Sequence, residues 1–182
     1  MSVLAGRLLA IHVALERAGV RHAFGGAIAL AYFTEEPRGT RDLDLNVFLP
    51  SDRADEALDA MPKGVAVRKT HRTAAKRDGQ VRVMWDDTPV DLFFDTHEFH
   101  HAAAEAVVRV PFEGTTIPIL AGHTLVVFKA MFNRTRDWAD IEAVLETQAP
   151  IGEQALTILR SLLGAEDVRT LRLAELVGRA RA

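Results

Sequence analysis

The sequence contains no cysteine among its 182 residues. Disulfide bonds, thiolate catalysis and cysteine-ligated zinc are therefore excluded. An excess of basic residues is also missing, because 22 Lys and Arg stand against 25 Asp and Glu. The chain as a whole therefore has no nucleic-acid-binding signature, although this balance still permits a local basic patch.

Long hydrophobic runs are missing as well. No apolar stretch approaches the roughly 20 residues that a membrane-spanning helix needs, and charged residues interrupt the moderately apolar N-terminal segment. This segment also lacks a signal-peptide cleavage pattern. We therefore expect a soluble, cytoplasmic protein without a membrane partner, whose 48% hydrophobic residues suffice for a real core.

Two kinds of pattern divide the chain near Gly122. Residues 1–120 mix predicted helices with strands, whereas residues 121–182 have helical patterns throughout. We therefore predict an α+β fold, in which a mixed β-sheet flanked by helices is followed by a C-terminal helical bundle. The predicted domains are an α/β domain over residues 1–120 and a helical region over 121–182 that packs on it.

The strand predicted over residues 42–49 carries two aspartates on one face. Residues two apart in a strand point to the same side, so Leu43 and Leu45 face a core whereas Asp42 and Asp44 face away from it. Neighbouring carboxylates repel each other, and burying them without a partner is costly. The pair is typical either of a solvated strand or of a cation site, for which Mg²⁺ is suited by its preference for oxygen ligands.

A third carboxylate, Asp91, lies in an apolar strand predicted over residues 89–94. Three carboxylates from two neighbouring strands could hold two Mg²⁺ ions, or Mn²⁺ in their place, about 4 Å apart. One ion would clamp a triphosphate, and the other would lower the pKa of an attacking hydroxyl. A short Asp-x-Asp motif by itself favours the solvated strand, but its combination with Asp91 and two glycines favours the metal site.

Those glycines, Gly25 and Gly26, precede a helix predicted over residues 27–33. Glycine lets backbone N–H groups approach an anion, and a helix N-terminus adds its positive end. Thr40 and Arg41, directly before the aspartates, could supply a hydroxyl and a cation to a phosphate. Thr40 is equally compatible with an ordinary turn.

The ordered set of Gly25-Gly26, the TRDLDL stretch, the VDLF stretch and the later FKAMFNRTRDWADIE resembles the nucleotidyltransferase (DNA polymerase β-like) superfamily. More closely, the chain is similar to the AbiEii/MenT type of toxin nucleotidyltransferase over about residues 20–145. The resemblance implies a nucleotidyltransferase-like fold and Mg²⁺-dependent transfer of a nucleotidyl group from an NTP to an acceptor hydroxyl. It further implies an RNA acceptor, namely a tRNA 3′ end, and a role as the toxin of a toxin–antitoxin pair with a separate antitoxin protein as partner.

The resemblance also implies roles for individual residues. Asp42 and Asp44 would bind metal, and Asp91 would complete the metal site and help to deprotonate the acceptor. Lys129, on an apolar helix, either extends outward or, as the resemblance implies, places its ammonium on the triphosphate as a catalytic group. Asp140 is compatible with either a structural or a nucleotide-site role. The residues expected to bind the nucleotide are Gly25, Gly26, Thr40, Arg41, Lys129 and Asp140.

Residues 97–101 match the H-E-x-x-H pattern of zinc proteases, in which two histidines share a zinc on one helix face. The pattern falls at the start of a predicted helix, where Asp95 and Glu98 form an acidic capping pair that accounts for the glutamate. We therefore interpret His97 and His101 as structural or surface residues.

Residues 68–82 carry six Lys or Arg against one Asp. We predict a basic hairpin here, either solvated or placed to receive an RNA backbone. Two other functions stay open beside the RNA-modifying one. The first is a small-molecule nucleotidyltransferase that modifies an antibiotic, and the second is a non-catalytic nucleotide-binding module.

Overall fold

The computed structural model describes residues 2–35 and 39–181. The polar stretch TEEPRG predicts a turn at residues 34–39, which lies partly outside the described residues. The chain divides into two compact units. One unit comprises Met1–Ile28 and Gly39–Leu120, and the other comprises Ala29–Arg38 and Ala121–Ala182.

Within the described residues, the helices and strands follow each other in mixed order up to the seventh strand, after which the chain is helical. The helices are α1 (Val3–Arg17), α2 (Gly26–Leu30), α3 (Ala54–Ala60), α4 (Lys69–Asp78), α5 (Glu98–Glu105), α6 (Gly122–Phe132), α7 (Thr135–Thr147), α8 (Ala149–Leu163) and α9 (Val168–Ala180). The strands are β1 (His22–Phe24), β2 (Leu43–Pro50), β3 (Val65–Ala66), β4 (Gln80–Trp85), β5 (Thr88–Asp95), β6 (Val108–Phe112) and β7 (Thr115–Ile119). A 3₁₀ turn, Ser51–Arg53, links β2 to α3.

The strands form one mixed sheet in the order β3-β4-β5-β2-β1-β7-β6. β2 runs parallel to β5 and antiparallel to β1, so it lies near the centre of the sheet. Alternate residues of β2 and β5 are fully or almost fully buried, as expected for strands with one face in a core. These residues are Leu43, Leu45, Val47, Val90, Leu92 and Phe94. The predicted α+β class with a mixed sheet is confirmed.

The first unit begins with α1, whose apolar stripe follows helical spacing. Leu8, Ile11 and Leu15 are completely buried on one face of this helix. The hydroxyl of Ser2 caps it by accepting a hydrogen bond from the Ala5 backbone at 3.2 Å. This helix leads through a short turn into β1, the strand that ends at the two glycines.

The basic hairpin predicted over residues 68–82 is wrong, because most of this segment forms α4. Its Ala, Lys and Arg residues are good helix formers, and no run of β-branched residues favours a strand there. Gly79 ends the helix in a left-handed conformation (φ +67), with its N–H donating to the Ala75 carbonyl oxygen at 3.0 Å. The strand β4 follows directly.

In the second unit, α6, α7, α8 and α9 pack against one another. Each of these helices contributes fully buried apolar residues, among them Val126, Ile141, Leu159 and Leu173. The C-terminal helical bundle predicted from the sequence is therefore present. Among the described residues, no helix has both the length and the apolar character needed to cross a membrane.

Candidate active site

The parallel pairing of β2 with β5 brings two aspartates side by side. Asp44 is the register partner of Asp91, and the backbones of paired strands lie about 4.8 Å apart. Asp42 precedes Asp44 by two residues and lies just before β2 begins, so the strand starts and ends one residue later than predicted. All three carboxylates belong to half-buried residues, while Leu43 and Leu45 between and beside them are completely buried. The sheet therefore gathers the acidic cluster of Asp42, Asp44 and Asp91.

The glycine turn lies directly against this cluster. The Gly25 N–H donates to the Asp44 carbonyl oxygen at 2.9 Å, which fixes the turn to β2. Gly26 has φ +49, and a Cβ added to it would lie 1.7 Å from Oδ2 of Asp44. The carboxylate thus occupies the space that any side chain at position 26 would fill. The Gly25 N–H already donates to Asp44, so a phosphate would bind the backbone of the turn from Gly26 onward.

The helix that follows the glycines, α2, is only five residues long. It ends at Leu30, three residues before the predicted end. Because a helix dipole grows from aligned peptide units, so short a helix adds little to anion binding. The glycine turn contributes mainly through its closeness to the carboxylate of Asp44.

Thr40 positions Asp42 within the cluster. Its hydroxyl donates a short hydrogen bond to Oδ1 of Asp42 and is 3.3 Å from the backbone N–H of the same residue. This contact orients the carboxylate of Asp42, which is the first of the three predicted metal ligands along the chain. Arg41 is exposed, and its charge makes a minor contribution to lowering the pKa of Asp87, after the main effect of a hydrogen bond from Arg7.

Arg82 is a member of this site that the sequence interpretation missed. It lies opposite Asp91 in the β4–β5 hairpin and donates two hydrogen bonds to it, from Nε to Oδ1 at 2.7 Å and from Nη2 to Oδ2 at 2.6 Å. These bonds raise the pKa of the Arg82 guanidinium, and the charges of Asp42 and Asp44 add smaller contributions. Arg82 therefore faces the whole acidic cluster.

A signal for Arg82 was present in the sequence. The turn between β4 and β5 consists of Asp86 and Asp87, and a two-residue hairpin loop fixes the register of both strands. With Trp85 paired to Thr88, counting back along each strand sets Arg82 opposite Asp91.

The acidic cluster suits a divalent cation. Carboxylate oxygens are ligands that Mg²⁺ and Mn²⁺ accept, and the missing side chain at Gly26 is what leaves room for the Asp44 carboxylate. The residues that would hold the metal are Asp42, Asp44 and Asp91.

Lys129 and Asp140 lie in the second unit, where they pair with each other. The Lys129 Nζ is 2.6 Å from Oδ2 of Asp140 and 3.8 Å from Oδ1 of Asp137, and all three residues are buried. Asp137 also accepts hydrogen bonds from the backbone and side chain of Arg134, and it thereby caps the start of α7. The lysine thus joins α6 to α7.

Most of the cationic side chains of residues 68–82, the segment that was predicted as a hairpin, form ion pairs within the chain. Arg72 pairs with Asp55 and Asp59, and Lys76 pairs with Asp55, all on neighbouring helices. Arg77 pairs with Asp78. Together with the Arg82–Asp91 pair, these contacts offset much of the positive charge that the sequence predicts for an RNA surface.

The H-E-x-x-H segment is used for local structure. His97 caps α5, with its Nδ1 accepting a hydrogen bond from the Phe99 N–H at 3.1 Å. His101 instead turns to Asp95, with Nε2 and Oδ2 2.6 Å apart. His97 therefore caps the helix in place of the predicted acidic pair, and each histidine has its own structural contact.

No protein-family model and no curated protein matches the sequence. Among solved structures, the chain is similar to ANT(2'')-Ia, an antibiotic-resistance factor. Its complex with adenylyl-2''-tobramycin is 15% identical over 98% of this chain and 99% of that chain, with a TM-score of 0.56. Its solution structure is 14% identical over 98% and 91% of the two chains, with a TM-score of 0.55.

A third similar structure is an antigenic nucleotidyltransferase-like protein from Paracoccidioides brasiliensis. It is 13% identical over 98% of this chain and 90% of that chain, with a TM-score of 0.53. At these identities the likenesses show the fold alone. The chain therefore has the nucleotidyltransferase fold, as its motifs predict.

Proposed function

We propose that this chain is a Mg²⁺-dependent nucleotidyltransferase, which moves a nucleotidyl group from an NTP to an acceptor hydroxyl and releases pyrophosphate. The observation that carries the proposal is the register of Asp44 opposite Asp91, beside Asp42 and against a glycine turn. Like charges directly opposite each other in a sheet are destabilising. A bound cation would offset this repulsion.

Each residue of the cluster has a role in this proposal. Asp42 and Asp44 hold the metal, and Thr40 keeps Asp42 oriented through its short hydrogen bond. The bound metal would neutralise phosphate charge and lower the pKa of the acceptor hydroxyl. The glycine turn lets a phosphate approach the carboxylates closely, so positioning and charge neutralisation supply most of the rate.

Asp91 has the second task of accepting the proton of the acceptor hydroxyl. Arg82 holds both of its oxygens in the structure, and the Arg82 side chain is 58% exposed. Such an exposed guanidinium can exchange a carboxylate for a phosphate oxygen, which it binds with the same forked geometry. Arg82 would thereby release Asp91 when the nucleotide binds.

Roles for Lys129 and Asp140 in nucleotide binding stay predictions from the resemblance. Their buried ion pair supports a structural role for both residues in the second unit. A phosphate would have to compete with the Asp140 carboxylate for the ammonium of Lys129.

The cations that are paired within the chain bear on the identity of the acceptor. An RNA acceptor, and with it the toxin role and an antitoxin partner, is supported by the motif resemblance and by the basic composition of residues 68–82. A small hydroxylated molecule, such as an antibiotic, is favoured by the ion pairs that Arg72, Lys76 and Arg77 make within the chain. Both acceptor classes therefore belong in the first assay.

The experiment incubates the protein with Mg²⁺ and each α-³²P-labelled NTP in turn, with total bacterial RNA in one arm and a panel of aminoglycosides and lincosamides in the other. The double variant Asp42→Asn/Asp44→Asn should lower transfer by about a thousandfold or more, because it removes the charges that hold the metal. Asp52→Asn, which alters an exposed carboxylate just after β2, is the matched control and should retain full activity.

Labelled RNA from the wild type alone would establish the RNA acceptor, and a labelled antibiotic would establish the small-molecule one. Mg²⁺-dependent NTP binding without either product would direct the search to other acceptors. The enzyme proposal fails if the wild type binds no NTP, or if the double variant is as active as Asp52→Asn.

A further inference from the structure

A second group of possible metal ligands lies in the first unit, on elements that the acidic cluster does not use. It consists of His12 and Glu16 on α1 and His22 on β1. One ligand atom from each residue can be chosen so that all three lie within 4.8 Å of one another. His12 and Glu16 are four residues apart and therefore share one face of the helix.

The two imidazoles meet closely. His12 Nδ1 is 3.0 Å from His22 Nε2, and both residues are buried, with exposures of 7% and 4%. Two nitrogens bound to one tetrahedral zinc at 2.0–2.1 Å would be separated by about 3.3 Å. The pair therefore needs to open by only a few tenths of an ångström to chelate a metal.

In a metal-binding histidine, the ring nitrogen that does not bind the metal usually donates a hydrogen bond to another group. The structure supplies such a group for His22. His22 Nδ1 is 2.8 Å from the Val20 carbonyl oxygen, which can only accept, so this nitrogen carries the proton. Nε2 of the neutral ring then presents a lone pair toward His12. Such a carbonyl contact is the usual way in which a ligating histidine is oriented.

His12 can take either of two proton arrangements. Without a metal, its Nδ1–H donates to His22. A neutral imidazole carries its proton on either ring nitrogen, so the proton can move to Nε2 and leave a lone pair on Nδ1. This tautomer change lets a metal enter between the rings without net loss of a proton.

Burial prepares both rings for binding. Both rings are buried, and burial favours the neutral imidazole, which is the form that ligates metals. Glu16 lies at the rim, with its side chain 46% exposed, and Arg109 on β6 holds its Oε1 at 2.8 Å. A carboxylate has a second oxygen, so Glu16 can serve as the solvent-side ligand.

We propose that His12, Glu16 and His22 form a binding site for a transition-metal dication, with Zn²⁺ as the best match to two imidazoles and one carboxylate. Water would complete the tetrahedral shell at the exposed side. The metal would link α1 to β1 across the turn at residues 18–21. Because β1 leads directly into the glycine turn, this link would brace the strand that positions Gly25 and Gly26.

The test titrates the metal-stripped full chain with Co²⁺, whose visible spectrum reports coordination number, and then displaces Co²⁺ with Zn²⁺. The background is Asp42→Asn/Asp44→Asn, so that the acidic cluster does not contribute. We expect one ion per chain and a four-coordinate spectrum. A hundredfold excess of Zn²⁺ over its Kd should raise the Tm by about 5–10 °C.

Two exposed substitutions keep the test independent of folding. Glu16→Gln should weaken binding by about tenfold or more, whereas Arg109→Gln should strengthen it, because it removes a positive charge and releases a carboxylate oxygen. His22→Gln should abolish binding, and His71→Gln, at a half-buried position in the first turn of α4, is the control that should leave binding unchanged. The proposal is overturned if no ion binds at micromolar concentrations, or if Glu16→Gln and Arg109→Gln bind as tightly as their parent.

Discussion

The contact between Gly26 and the Asp44 carboxylate makes a sharp prediction for Gly26→Ala. A Cβ at this position would lie 1.7 Å from Oδ2 of Asp44 and 2.5 Å from its Cγ, whereas real Cβ contacts essentially never fall below 3.0 Å. The carboxylate must therefore move by more than about 1 Å, and a displacement of that size at a reacting centre costs about a hundredfold in rate. We expect metal–NTP binding and transfer to fall by at least this factor.

The backbone strain of the same substitution is separable from the clash. Gly26 has φ +49, where alanine is disfavoured by about 1 kcal/mol. Gly114, in the turn between β6 and β7, has φ +80, and a Cβ there meets nothing within 4 Å. Gly114→Ala therefore carries similar strain without the clash and serves as the matched control.

The assay measures unfolding by urea and Mg²⁺-dependent NTP binding by calorimetry for both variants. Gly114→Ala should lose about 1 kcal/mol of stability and bind Mg²⁺ and NTP like the wild type. Gly26→Ala should lose binding far beyond its loss of stability. If Gly26→Ala binds as tightly as Gly114→Ala, then Asp44 is not a ligand at this site.

Four further substitutions test other contacts. Lys129→Met should lower the free energy of unfolding by about 3–5 kcal/mol, because it removes the ammonium from a buried carboxylate. Adding Asp140→Asn should restore part of this loss, and a loss below about 1 kcal/mol in urea unfolding would contradict the assignment. Arg82→Gln should tighten Mg²⁺ binding by about twofold to tenfold in calorimetry without nucleotide, since one positive charge leaves a partly exposed site. Burial lowers the pKa of His123 from its ordinary value of 6.5, so its contribution to stability is complete above that value and is lost as pH falls through the lowered pKa. Between about pH 7.5 and about pH 5.5, the wild type should therefore lose more stability in urea unfolding than His123→Gln, and equal losses would refute this.

The sequence was sufficient for the parts of the fold that depend on periodicity. Alternation of apolar residues predicted β2 and β5 correctly, because in each strand the apolar set is buried as a unit. The same alternation predicted the shared face of Asp42 and Asp44. Fold class followed from the order of these elements and from the helical spacing after residue 121.

The sequence was not sufficient where a helix and a hairpin are similarly compatible with the local pattern. Residues 69–78 have a basic, polar pattern with little apolar periodicity, and their helix is stabilised by ion pairs from Arg72 and Lys76 to the helix α3. The pairing of Arg82 with Asp91 follows from the register that the Asp86-Asp87 turn sets, and the composition of the two strands alone does not indicate it. The contact of His12 with His22 depends on how α1 turns back into β1.

The parallel pairing of β2 with β5 also determines when the acidic cluster can form. The chain between these strands includes α3, β3, α4 and β4, so Asp91 is synthesised long after Asp44. Contacts between residues so distant in sequence form late and slowly in folding, because a long loop must close first. A nascent chain that ends before β5 contains Asp42 and Asp44 but lacks Asp91, so it cannot assemble the cluster. Completion of the site is thereby tied to completion of the sheet.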